Sequence, residues 1–290
     1  MFMQFPMLGV GFGQFAWHHF QLLPLLQGSN IAGFYNNAHN LVFQLAAEAG
    51  IAGLLALFVS FSVWFYGLRR VLPSASHWWG YAALGVLAIH SLLEYPLWYT
   101  YFLAVAAVLL GAFDETRYRL KLHNAGRISL VAVLLLGLLW LIQLHSGYQK
   151  LKDTLVISYG SDNAHSRIRD GLLGVQHSGS LLSPLAEQYI FAYADVNADH
   201  IKEKLALGSN VIHFIPSAGA VYRQAYLLAQ DDQLDQAKRL LEQAIWSYPD
   251  DGDAHQLLQN LVGKDPAHFS ALLEFYLEKQ QERARAVRNQ

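Results

Sequence analysis

Long apolar runs without charge dominate the first half of the chain. Residues 51–68 form an uncharged run of about the length that crosses a bilayer as one helix. Residues 80–113 are too long for one crossing, and Pro96 disfavours helix at the preceding residue, so this stretch predicts two spans that meet at a break. Residues 128–144 predict a fourth span. The pattern therefore predicts a four-span transmembrane domain at residues 51–145, in contact with membrane lipid.

The basic residues orient these spans. Residues 1–68 contain no lysine or arginine, whereas two short loops contain Arg69 and Arg70, and Arg117, Arg119, Lys121 and Arg127. Because such residues accumulate in cytoplasmic loops, both loops are predicted to be cytoplasmic. Residues 1–50, the break at 94–96 and residues 146–290 then lie on the opposite side. In a bacterium this predicts a multi-pass inner-membrane protein with a periplasmic C-terminal domain.

The second half changes to an amphipathic pattern. Residues 146–290 are punctuated by Ser, Asp, Asn and Gly, which predicts soluble helices joined by short loops. Within residues 218–285, small and apolar residues stand at the offsets of a tetratricopeptide (TPR) repeat: Ala225, Ala237, Leu241, Ala244 and Pro249, with Ala271 and Phe275 in a weaker second copy. The predicted fold class is all-α, with polytopic transmembrane helices followed by a soluble TPR-like domain. Such a domain either binds partner proteins or caps the membrane part.

Composition narrows the classes of function. The chain is 53% hydrophobic and 14% charged, with a net charge of −2, which favours a membrane protein and gives no support for nucleic-acid binding. The absence of cysteine excludes disulfide and thiolate chemistry. His18, His19 and His39 do not have the spacing of zinc ligands, so we expect neither a metal nor a cofactor.

A glycine-rich segment opens the chain. Gly9, Gly11 and Gly13 lie in the sequence GVGFGQF, which follows no predicted strand and lacks the Gly-Lys-Ser/Thr ending of a nucleotide-binding loop. We interpret the segment as a turn at the membrane surface, because glycine adopts unusual backbone angles at little cost. The alternative is a weak substrate-binding role, through direct contact with phosphate.

The strongest candidate for chemistry is His39, which with Asn40 precedes a helix that leads into the membrane. A helix start offers free N–H groups that suit a pyrophosphate, and a neutral histidine can accept a proton from a hydroxyl. The alternative is a capping or headgroup-contacting histidine. Glu48 lies near the membrane boundary of the same helix. His90 and Glu94 lie four residues apart and are predicted to share one face of the next span, either as part of a functional site or as hydrogen-bonding groups between spans.

At these residues the chain resembles the O-antigen ligase and pilin-type protein O-oligosaccharyltransferase superfamily, specifically its membrane-bound polymerase C-terminal region. The resemblance rests on PMLGVGFGQF, NNAHNLVFQLAAEAGIAG, HSLLEYPLWYTYFL and the soluble helical tail, and it covers nearly the whole chain. It implies a polytopic enzyme that moves a glycan from an undecaprenyl-pyrophosphate carrier to a lipid A core sugar or to a Ser/Thr of a protein. It implies no metal and no nucleotide sugar.

The resemblance also assigns roles to residues. His39 matches the catalytic histidine, Asn40 and Glu48 match its motif neighbours, and His90 and Glu94 match a supporting second motif. Family members have more spans upstream and hold the pyrophosphate with outer-side arginines, whereas the first 68 residues here contain none. We therefore expect an N-terminally truncated member, or one whose upstream half lies on another chain. The function is then that of the C-terminal part of a glycan ligase or polymerase, or that of a non-enzymatic anchor that presents the helical domain.

Overall fold

A computed structural model describes residues 1–26, 33–68, 74–113, 123–156, 164–249 and 251–288, and these ranges contain helices and loops but no strand. The all-α prediction is therefore confirmed for the described residues. They group into two compact units: one from Met1–Gln21 and Phe34–Leu120, the other from Leu22–Gly33 and Lys121–Gln290. The helices are α1 Phe15–Leu22, α2 Leu41–Leu68, α3 Ala75–Leu93, α4 Thr100–Ala112, α5 Asn124–Val156, α6 Ala164–Gln176, α7 Ser183–Ala192, α8 Ile201–Phe214, α9 Ala218–Gln230, α10 Leu234–Ser247, α11 Gly252–Lys264 and α12 Pro266–Arg288.

Among the described residues, α2 and α5 are the helices long and apolar enough to cross a membrane. Their apolar stretches are not buried by protein, as lipid-facing helices require. The predicted break in the apolar run 80–113 is confirmed, because a short 3-10 turn, Pro96–Trp98, separates α3 from the shorter apolar helix α4. Four spans in total stay a prediction. The basic residues used to orient them lie outside the described residues, except for Arg127: Arg69, Arg70, Arg117, Arg119 and Lys121.

Helix α2 is interrupted at Gly50, where φ is +61° and ψ is −154°. In an unbroken helix the N–H groups of Ile51 and Ala52 would donate to the carbonyls of Ala47 and Glu48. The first loop of the chain, residues 1–14, provides partners for all four groups through hydrogen bonds of 2.8 to 3.1 Å. These bonds run from Val10 N–H to Ala47, from Gly11 N–H to Glu48, from Ile51 N–H to Pro6 and from Ala52 N–H to Met7. We call this arrangement the loop clamp. Because unpaired backbone groups are costly in apolar surroundings, the loop clamp allows α2 to break.

Two glycines permit this close approach of backbones. Gly9 and Gly50 both have positive φ, +69° and +61°. A Cβ atom on Gly50 would lie 2.6 Å from the carbonyl carbon of Met7, and one on Gly9 would overlap the backbone of Glu48. The glycine-rich segment is thus a packing element of the first unit.

The second unit contains the 33-residue helix α5. Exposed aliphatic side chains cover its middle, whereas Gly147 and Leu151 near its end are buried. Leu151 shares a hydrophobic core with residues of α6 and α7: Ile168, Leu172, Val175 and Ala186. Helix α5 therefore runs without interruption from its apolar part into the core of the helical domain.

Helices α9 to α12 form the end of the domain. The predicted small and apolar positions of the first hairpin, α9 and α10, are fully buried: Ala225, Ala237, Leu241 and Ala244. The register predicted for the second copy is wrong, since Ala271 is exposed and Phe275 only half-buried. Helix α12 follows α11 after a single residue, Asp265, and its buried positions are Phe269, Leu272 and Tyr276. The TPR-like classification of the domain stays a prediction.

Candidate active site

Residues from two separate motifs meet in the first unit. Nδ1 of His39 lies 2.7 Å from Oε2 of Glu94, although the two residues are 55 positions apart. A carboxylate oxygen only accepts hydrogen bonds, so Nδ1 carries a hydrogen, and in the neutral form of the ring the lone pair is on Nε2. Within the described part of the chain no residue hydrogen-bonds Nε2. The side chains of His39 and Glu94 are 42% and 50% exposed, which leaves the pair open to a substrate.

Glu94 reaches His39 because it has left helix α3. Its backbone is extended, with φ −150° and ψ −170°, and its N–H closes the helix on the carbonyl of His90. Pro96, two residues later, disfavours further helix. His90 is still helical, and its exposed ring lies edge-on to Phe102 of α4 at 5.8 Å between centroids. His90 and Glu94 therefore have different partners, and of these two residues only Glu94 contacts His39.

Asn40 caps α2 and joins it to α3. Its Oδ1 accepts hydrogen bonds from the N–H groups of Val42 and Phe43 at 3.0 and 3.1 Å, as expected of an N-cap residue. Its Nδ2 donates to the carbonyl of Leu92 at 2.7 Å. The two capped N–H groups are occupied, so they are not free for the pyrophosphate contact expected at this helix start. Asn40 instead holds the segments that carry His39 and Glu94 together.

His39 has a backbone conformation that side chains disfavour, with φ at +49°. The residue before it, Ala38, donates its N–H to Oε1 of Gln44 at 2.7 Å. Gln44 is 3% exposed and lies in the first turns of α2. Sequence reasoning missed Gln44. The available signal was a polar side chain in a largely apolar helix, four residues after the capping Asn40.

Aromatic rings surround the imidazole of His39. The rings of Tyr95 and Tyr35 lie edge-on to it, with centroid distances of 4.9 and 6.4 Å. The backbone N–H of Tyr35 donates to Nδ1 of His19 at 3.2 Å. Burial lowers the pKa of His19, which favours the neutral ring that can accept this bond. His19 therefore helps to fix the aromatic wall beside His39.

Glu48 belongs to the loop clamp and binds the start of α1. Its side chain is buried, and Oε1 accepts a hydrogen bond of 3.2 Å from the N–H of Phe15, the first residue of α1. A carboxylate at a helix N-terminus is stabilised by the helix dipole. Its backbone carbonyl accepts the N–H of Gly11. Glu48 thus fixes the first loop to α2.

The N–H groups of Gly9 and Gly11 in the first loop bind backbone carbonyls. The N–H of Gly9 donates to the carbonyl of Phe5 at 3.0 Å, and that of Gly11 donates to Glu48 at 3.0 Å. Gly13 also has positive φ, at +75°, with open space beside its Cα. The interpretation of this segment as a turn agrees with these contacts. The N–H groups of Gly9 and Gly11 are not available for a phosphate.

Comparison with known proteins places the chain in a family. The model of the family described as virulence factor membrane-bound polymerase, C-terminal, matches residues 78–261, more than half of the chain. The match includes Glu94 but not His39. A general O-oligosaccharyltransferase from Acinetobacter baylyi (strain ATCC 33305 / BD413 / ADP1) is 26% identical over 144 residues, which cover 47% of this chain and 24% of that protein. No solved structure matches the chain.

The expected resemblance is confirmed by these two matches. The matched part of the chain covers 24% of the length of the Acinetobacter protein. Together with the two candidate membrane helices, the family indicates membrane association. The chain belongs to the virulence factor membrane-bound polymerase C-terminal family, within the O-antigen ligase and O-oligosaccharyltransferase superfamily.

Proposed function

We propose that the chain forms the C-terminal part of a membrane glycosyltransferase. It transfers a glycan from undecaprenyl pyrophosphate to a hydroxyl group of a protein or of the lipid A core. The contact of 2.7 Å between His39 and Glu94 carries this proposal, because it gives an open, oriented imidazole beside two apolar helices. Membership of the polymerase family and similarity to a general O-oligosaccharyltransferase support the reaction class.

The reaction needs one base and one leaving group. Nε2 of His39 accepts the proton of the acceptor hydroxyl while the oxygen attacks the anomeric carbon of the glycan. A new carbon–oxygen bond forms, and the bond from that carbon to the pyrophosphate oxygen breaks. The electron pair leaves with undecaprenyl pyrophosphate. Glu94 holds the imidazole through Nδ1 and stabilises its protonated form, in the manner of the carboxylate in a catalytic triad.

The location of the pair fits a lipid-linked donor. His39 lies just before α2, and Glu94 ends α3. A carrier lipid in the bilayer presents its pyrophosphate at the membrane surface. Because the first 68 residues contain no lysine or arginine, we assign this surface to the periplasmic side. We assign four spans to the chain because of the apolar runs at residues 51–68, 80–113 and 128–144. The helical domain after residue 145 then also lies in the periplasm.

A Glu94→Gln variant tests the proposal. The amide can donate to Nδ1, which favours the wrong histidine tautomer, so transfer is expected to fall by about a hundredfold or more. The assay uses membranes of a bacterial strain without its own ligase, supplied with lipid-linked glycan and acceptor. The chain is assayed alone and joined to the upstream part of the Acinetobacter relative.

The matched control is Glu274→Gln, the same change at an exposed position of α12. This variant is expected to transfer glycan at the parental rate. Parental transfer by Glu94→Gln, at equal amounts of protein in the membrane, would rule out the assigned role of Glu94.

The continuous helix α5 favours a second function, that of a membrane anchor. It joins an exposed apolar stretch to the core around Leu151 and Leu172 without a flexible link, as a support for a partner-binding domain requires. An anchor predicts that binding of a periplasmic protein partner depends on the helical domain and is unchanged in His39→Ala. Transfer that depends on His39 would favour the enzyme.

A further inference from the structure

We propose that Gln44 is a positioning residue for glycan transfer. Its side chain fixes the backbone that precedes His39 and thereby keeps the imidazole against Glu94. This inference rests on the proposed function of His39 as the base. It assigns Gln44 no contact with the substrate.

The position of Gln44 supports an indirect role. The residue lies in the first turns of α2, and only 3% of its surface is exposed. A side chain so deeply buried cannot meet a glycan or an acceptor. Its effect must therefore pass through the groups that it contacts.

The hydrogen bond of Gln44 closes the turn that contains His39. Oε1 accepts the N–H of Ala38 at 2.7 Å, so the bond spans six residues of the chain. Asn40 fixes the other side of His39 through the N–H groups of α2 and the carbonyl of Leu92. His39 is thus held between two side chains that bind backbone groups.

The backbone of His39 needs such support. Its φ of +49° lies in the left-handed region, which persists in a residue with a Cβ only where the surroundings enforce it. Without an acceptor for the N–H of Ala38, the turn can relax to an ordinary conformation. The imidazole would then move away from Glu94, and a displacement of about 1 Å can lower a rate by about a hundredfold.

The buried amide itself is informative. Burying a polar side chain is unfavourable unless it is hydrogen-bonded, and an apolar residue would suit this helix better for packing alone. The bond to Ala38 compensates for that penalty. The structure therefore gives Gln44 a role that depends on its acceptor oxygen and not on its volume.

Two variants separate the hydrogen-bond acceptor of Gln44 from the size of its side chain. Gln44→Met keeps the size of the side chain and removes the acceptor, and Gln44→Asn keeps an amide that is too short to reach Ala38. Both are expected to lower kcat by about tenfold to a hundredfold, with little change in KM for the lipid-linked donor.

Glycan transfer is measured in membranes with the chain alone or joined to the upstream part of the Acinetobacter relative, whichever form transfers glycan. The rate is divided by the amount of folded protein, measured as the protein that resists chymotrypsin. Gln4→Met, a change at an exposed position of the first loop, serves as the control and is expected to behave as the parent. Parental kcat in both Gln44→Met and Gln44→Asn would overturn the inference. An effect confined to KM would also overturn it.

A parallel His39→Ala variant separates this inference from the proposed function. If His39→Ala transfers glycan normally, the role of the histidine and the role of Gln44 fail together. If His39→Ala is inactive while Gln44→Met and Gln44→Asn are normal, only the role of Gln44 fails.

Discussion

Replacing His39 by alanine is expected to lower glycan transfer by about a hundredfold to ten-thousandfold, the usual contribution of a positioned general base. The substitution removes Nε2, the proposed proton acceptor, and leaves Glu94 without its partner at 2.7 Å. The ring is half-exposed, so little packing is lost and the amount of protein in the membrane should not change. The measurement is the rate of transfer to the acceptor at saturating lipid-linked glycan.

The second unit contains a matched control, His200. Its φ is also +49°, and its Nδ1 lies 3.4 Å from Oε1 of Glu203 on an exposed helix start. His200→Ala therefore removes a similar histidine–carboxylate pair in the other unit. We expect transfer at the parental rate. Equal transfer by His39→Ala and His200→Ala would remove the basis for a catalytic His39.

Replacing Gly50 by alanine is expected to disrupt the first unit. The new Cβ would lie 2.6 Å from the carbonyl carbon of Met7, and φ of +61° is strained for alanine. Relieving the clash opens the loop clamp, whose four hydrogen bonds would have to break at the boundary of an apolar helix. We expect a destabilisation of about 3 kcal/mol or more.

Limited proteolysis of the protein in membranes measures this effect. The first 68 residues contain no lysine or arginine, so chymotrypsin is the suitable protease and trypsin is not. In Gly50→Ala we expect rapid cleavage in the first loop and in α1, between residues 2 and 20. The control is Gly67→Ala in the same helix, where a Cβ meets nothing within 4 Å. Equal resistance of Gly50→Ala and Gly67→Ala to chymotrypsin would show that the loop clamp does not hold the first loop in place.

Local sequence patterns account for most of the helices. The uncharged run at residues 51–68 matches the part of α2 that follows Gly50, and Pro96 marks the break between α3 and α4. The small residues Ala225 and Ala237 are fully buried, as their spacing predicts. These features depend on near neighbours in sequence, which is why the pattern alone is sufficient.

Long-range contacts explain what the sequence did not reveal. The break at Gly50 is stabilised by residues about forty positions earlier, whose pairing leaves no periodic signal. The spacing of His90 and Glu94 predicts a helical Glu94, whereas its backbone is extended and its carboxylate lies against His39. Gln44 was missed for a similar reason, since its role appears only once the turn at Ala38 is folded. Candidate residues could thus be named from sequence, but their partners could not.

The most direct test of the account is a double-mutant cycle on the pair. Transfer rates are measured for the parent, His39→Ala, Glu94→Gln and the variant with both changes, at equal amounts of folded protein. If Glu94 acts by orienting the imidazole, Glu94→Gln has no further effect on the transfer rate in a chain that already carries His39→Ala. We therefore predict that the double variant transfers glycan at the rate of His39→Ala. Losses that multiply, so that the double variant is slower by the product of the two single effects, would contradict the claim that the two residues act as one base.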